Sequence, residues 1–89
     1  MVVCAVCRSK HEPATPFPES LQGDGCAASI FQHKEHGWVL YASYGSTKFD
    51  GDVYWVDLGL RKELDPVCDT CIQDWIDQGK LKFISNVFS

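Results

Sequence analysis

No apolar run in this 89-residue chain approaches the roughly 18–20 residues that a helix needs to cross a bilayer. The opening "MVVCAVCRSKHE" has no basic start followed by an apolar stretch, so no secretory leader is expected. Both absences point to the cytoplasm, where thiols stay reduced and disulfides are rare. A basic surplus is missing too. Eight Lys and Arg stand against twelve Asp and Glu, a net charge of −4. Residues 50–77 hold eight acids against only Arg61 and Lys62. Broad phosphate-binding surfaces need clustered Lys and Arg, so this composition disfavours one. An acidic stretch is compatible with a basic partner, although such charge is more often a solvated face.

What is present is enough for one small domain. A chain of this length buries about 60–65% of the surface it would expose unfolded, so its core is marginal and a staple is expected. With 45% hydrophobic and 22% charged residues it does not read as disordered. Five cysteines is an odd number, which a disulfide framework would leave unbalanced.

The pattern along the chain predicts an α+β fold. Residues 1–10 form a short strand and a cysteine turn. Residues 11–25, rich in Pro and Gly, form a long loop. Three antiparallel strands follow as a meander over 27–58, with Asp50-Gly51 as a strong hairpin signal. Both faces of this meander look apolar. One should pack on a helix; the other is covered by the loop or tail, or serves as a contact surface. In so small a domain the covered reading is favoured.

A helix is expected over 66–78, with Asp65 as its N-cap and Pro66 at its first position. Cys68, Cys71, Ile72, Trp75 and Ile76 make its buried stripe, and Gly79 ends it. Residues 81–88 read as a last short strand.

Two Cys-x-x-Cys turns, Cys4/Cys7 and Cys68/Cys71, carry the chemistry. Each turn brings two sulfurs to one side, and two turns complete a tetrahedral sphere at zinc–sulfur distances of about 2.3 Å. Cys68 and Cys71 also lie at the positive end of a helix dipole, which favours thiolate. Cys26 reads as a small buried residue at a strand start. His11, four residues after Cys7, is a possible substitute ligand but more simply a loop histidine, and His33 and His36 flank a turn.

The order of parts, a cysteine turn, then strands ending "DGDVYWVDL", then "CDTCIQDWIDQG", resembles a treble-clef zinc finger. The resemblance implies one structural Zn2+ held by Cys4, Cys7, Cys68 and Cys71, and implies no activity. Two departures stand out. Arg8 occupies the position after the second cysteine where glycine is common, and the insert before the hairpin is long.

A second similarity is to zinc-dependent nucleobase deaminases, through His33-Lys34-Glu35 and "PVCDTC". It implies His33, Cys68 and Cys71 as ligands and Glu35 as proton carrier. Valine between the proline and the first cysteine, a strand rather than a helix after His33, and the short chain count against it. An HNH-type nuclease would want a histidine in the helix, and residues 67–79 contain none. Catalysis is therefore not expected. The expected function is recognition of another protein through Tyr41, Tyr44, Tyr54 and Trp55, since Tyr and Trp are favoured at interface centres. The alternative is nucleic-acid binding through Arg8, Lys10 and Lys48.

Overall fold

Cys26, Ala28 and Ile30 recur at every second position as apolar residues, and this segment becomes the longest of the described strands. The computed structural model describes residues 2–11, 25–42 and 48–88. The loop expected over 11–25 lies almost wholly outside these residues, as does Tyr44. Strands β1 (Val2–Val3) and β2 (Lys10–His11) pair as a small hairpin. The main sheet contains β3 (Cys26–His33), β4 (Gly37–Ala42), β5 (Asp52–Val56), β6 (Leu64–Cys68) and β7 (Leu81–Asn86). One helix, α1 (Asp69–Asp77), follows β6. It is too short to cross a membrane, and no described helix is long and apolar enough to do so.

The expected three-stranded meander is corrected to a five-stranded antiparallel sheet of order β6-β3-β4-β5-β7. Strands β3, β4 and β5 do follow one another as neighbours, but β6 pairs with β3 and β7 with β5. Strand β6 occupies the segment expected to open the helix. Asp65 and Pro66 are strand residues joined by a cis peptide, and the helix starts at Asp69 with Cys68 as its N-cap. The physical reason is tertiary. Val67 is fully buried opposite Ala28, and Leu64 pairs with Ile30, so burial on β3 outweighs the local capping signal.

The helix end follows expectation. Gly79, at φ +72, donates to Ile76 O, and Lys80 N donates to Trp75 O, the paired bonds of a Schellman motif. Cys71, Ile72 and Trp75 face the sheet and are buried, while Asp74 and Asp77 are exposed. The core between helix and sheet contains Ile30, Leu40, Ala42, Tyr54, Val56 and Val67 among others.

At the other end of the sheet, Gly51 adopts φ +84 and its position has no room for a side chain, because a Cβ there would meet the Phe88 ring. Val87 N donates to Gly51 O, and Asn86 Nδ2 donates to both Asp50 O and Asp52 Oδ1. Asp50 Oδ1 is buried there without a hydrogen-bond partner among the described residues. Burial, then the charges of Asp52 and Asp69, raise the Asp50 carboxyl above its ordinary value. A raised carboxyl means that the ionised group disfavours the fold above its unfolded pKa, and that this penalty fades as pH falls. Asp50→Asn keeps a residue suited to the turn before glycine. It should raise Tm by a few degrees at pH 7, corresponding to about 0.5–1 kcal/mol, and give no gain near pH 3. Thermal melts of both proteins at the two pH values read this directly.

Candidate metal centre

Three pieces of chain converge on one point. The β1–β2 hairpin carries Cys4 and Cys7 at its tip, β6 delivers Cys68, and the first turn of α1 delivers Cys71. The tip is a tight turn in which Cys4 N donates to Ser9 O and Arg8 N to Cys4 O. Arg8 takes φ 65, the left-handed conformation that glycine adopts at no steric cost. The departure noted at this position thus changes the residue and keeps the backbone shape. Ala5 N donates to Pro66 O at 2.8 Å, which docks the hairpin tip on the outer edge of β6. That bond brings two cysteine pairs together from opposite ends of the chain.

The four sulfurs all lie within 4.8 Å of one another. Cys4 and Cys71 are 3.9 Å apart, Cys7 and Cys68 3.7 Å, and Cys68 and Cys71 3.5 Å. Zinc–sulfur bonds of about 2.3 Å would set the edges of a tetrahedron at roughly 3.8 Å. The spacing is therefore that of a metal-binding cluster and is consistent with zinc. Cys4, Cys68 and Cys71 are buried, and Cys7 is at the exposed rim. Val6 N donates to Cys4 Sγ at 3.4 Å, a contact that favours the thiolate.

The two pairs differ in how readily they ionise. Burial resists ionisation of Cys4, but hydrogen bonds from the backbone of Cys7, Val6 and Cys68 outweigh it and hold the thiol below its ordinary value. Hydrogen bonds from the Ser9 side chain and backbone bring Cys7 down to about 6. Burial pushes Cys68 up, and hydrogen bonds from Cys71 offset only part of that. Burial and the neighbouring Cys68 push Cys71 well up. At Cys68 and Cys71 burial opposes the thiolate that the helix start favours, and it raises both thiols. A dication among the sulfurs would be the largest local charge and would reverse this, releasing protons as it binds.

Cys26 is buried, as expected for a strand-start residue, and it stands directly opposite Cys68 in the β3–β6 ladder. Burial and then the nearby Cys4 and Cys68 push its thiol up to about 12. Its neighbourhood to the cluster was not legible, because the only signal for it is the pairing of β3 with an unforeseen strand. His33 and Glu35 are not part of the cluster. They sit on the β3–β4 turn, where His33 Nδ1 accepts from the amides of Glu35 and His36. The turn begins at the opposite end of β3 from Cys26, seven residues or about 23 Å along the strand. His11, in β2, is outside the cluster as well.

The residues expected to contact a partner are divided by the sheet. Tyr41 and Trp55 lie on its outer face, together with Phe31, Val39 and Val53. Tyr54 does not: it is buried in the core, its hydroxyl donating to Asp52 Oδ2 and its ring packed edge-on against Phe49 and Phe83. Strand alternation explains the difference, since Tyr54 and Trp55 are adjacent and must point to opposite faces. Lys48, named for the nucleic-acid alternative, donates to Gln73 and lines a recess with Asp69 and Asp74. Compared with known proteins, the chain matches no family model, no curated protein and no solved structure, so the chemistry of this centre rests on its own geometry.

Proposed function

We propose that this chain is a non-catalytic recognition module whose fold is held by one structural zinc ion and whose partner is another protein. The observation that carries the metal is that all four sulfurs lie within 4.8 Å of one another, three of the separations being 3.5 to 3.9 Å, close to a tetrahedral edge. Four thiolates leave no open position for substrate or water, which favours a structural over a catalytic role. A treble-clef-like arrangement is supported by the order of parts: a cysteine hairpin, antiparallel strands, and a helix whose N-cap and first turn bring the second pair. A reducing, cytoplasmic setting would keep the four thiols available.

Recognition is assigned to the outer sheet face, where Tyr41 is half-buried and Trp55 is exposed. Native mass spectrometry with metal analysis of the purified protein tests the metal. One zinc per folded chain is expected. A folded chain without metal, or with stoichiometric iron, would overturn the zinc assignment.

A further inference from the structure

The outer sheet face has a chemistry of its own. Val39 is buried to 1% exposure yet stands apart from the core cluster, at the centre of this face. Around it the ladder places Phe31, Tyr41, Val53 and Trp55. Two open recesses lie here, of about 310 and 490 Å³, and His36 lines both. The smaller is floored by Val39 and Val53 and walled by Phe31 and Tyr41. The larger lies at Trp55 and Lys82.

Among the described residues, none that lines either recess is acidic, in a chain whose net charge is −4. The contrast with the helix side is sharp, where Asp69 and Asp74 line the recess. Two cations lie at the Trp55 end. The Arg61 guanidinium lies 4.9 Å from the Trp55 ring centroid, and Lys82 is the ladder partner of Trp55. His33 uses Nδ1 as an acceptor, which leaves Nε2–H as its donor.

We propose that this face docks an acidic segment of a partner protein. One large apolar side chain would sit over Val39 and Val53, with carboxylates beside it against Lys82 and Arg61. The assignment rests on the recognition function proposed above and adds the chemistry of the partner. An apolar recess of this size with a few convergent donors suits a single anchor flanked by anionic groups. Single-stranded nucleic acid is the weaker match, because tracking a phosphate backbone takes a longer row of cations than Lys82 and Arg61 supply.

Strand addition to the β7 edge is also disfavoured. The register break opposite Val53 and Tyr54 places a bulge at Ile84, and Lys82 lies on the same strand. Bulges and lysines are features that keep edges unpaired. The partner is therefore recognised by its side chains.

The test is selection of a displayed random-peptide library against the zinc-loaded protein, then titration of the enriched synthetic peptides by fluorescence anisotropy. Enriched sequences should carry a large apolar residue beside Asp or Glu. Lys82→Glu should weaken their binding roughly tenfold, and Trp55→Ala by about thirtyfold or more. Both side chains are exposed, so zinc content and circular dichroism should match the parent protein. Peptides that bind through Trp55 but lack carboxylates, or ignore Lys82→Glu, overturn the acidic assignment and leave the recognition function standing. Absence of enrichment, or binding indifferent to Trp55→Ala, overturns both. An oligothymidylate that binds this face and competes with the peptides overturns the choice of partner in favour of nucleic acid.

Discussion

Cys68→Ser should abolish zinc binding and leave the domain largely unfolded at 25 °C. Cys68 is 1% exposed, and its sulfur lies 3.7 Å from Cys7 and 3.5 Å from Cys71. It is also the helix N-cap and the last residue of β6, so it couples sheet, helix and cluster. Structural zinc contributes about 10–16 kcal/mol in small zinc-dependent peptides. That is comparable to the roughly 5–15 kcal/mol total stability of a domain. Removing one ligand leaves three thiols without a cation, in a core too small to compensate. Far-UV circular dichroism and metal analysis of the variant measure both losses. Cys26→Ser is the comparison: it should keep one zinc per chain and most of the stability. A Cys68→Ser protein that stays folded and keeps its zinc would mean that another group, Cys26 being nearest in the ladder, completes the sphere.

Ile72→Ala should cost about 2–5 kcal/mol while leaving the zinc in place. Ile72 is fully buried, at the middle of the helix stripe between Cys71 and Trp75. Truncation removes the transfer free energy of the deleted carbons and adds the penalty of the cavity left behind. For a domain of this size each kcal/mol shifts Tm by about 4–8 °C, so a fall of roughly 8–40 °C is expected. The metal should remain because Cys68 is fixed in β6 and Cys71 lies only three residues beyond it, in the first turn of α1. Leu58→Ala, at a residue 75% exposed, should change Tm by little. Urea melts in the presence of zinc would show a lower midpoint for Ile72→Ala with an unchanged slope. A loss under about 1 kcal/mol would mean that the cysteine cluster, rather than the apolar stripe, holds the helix on the sheet.

Much of the local structure was legible in the residues. The helix stripe, its glycine stop and the strand alternation through "SIFQH" and "VYWV" are short-range patterns, and the structure contains them. The segment Leu64–Cys68 carries a local helix-start signal yet forms a strand, for a physical reason. Asp-Pro before an apolar-periodic run is a strong helix-start signal, and nothing local reveals that Leu64 and Val67 will find Ile30 and Ala28. The same limit applies to the partner surface. Alternation separates Tyr54 from Trp55, but which of the two faces the helix depends on how the sheet is covered.

The sequence by itself determined that the chain has two Cys-x-x-Cys turns, one amphipathic helix and strands that pair through an apolar pattern. Those are consequences of spacing and periodicity, and they act within a few residues. Tertiary structure decided that the two turns meet. Sixty residues separate Cys7 from Cys68 in the chain, and their convergence depends on β6 joining β3 and on Ala5 bonding to Pro66. It also decided the burial of Cys68 and Cys71, which opposes the ionisation that the helix start alone would favour. Desolvation and long-range pairing are properties of packed neighbours, and neighbours distant in the chain are set only when it folds.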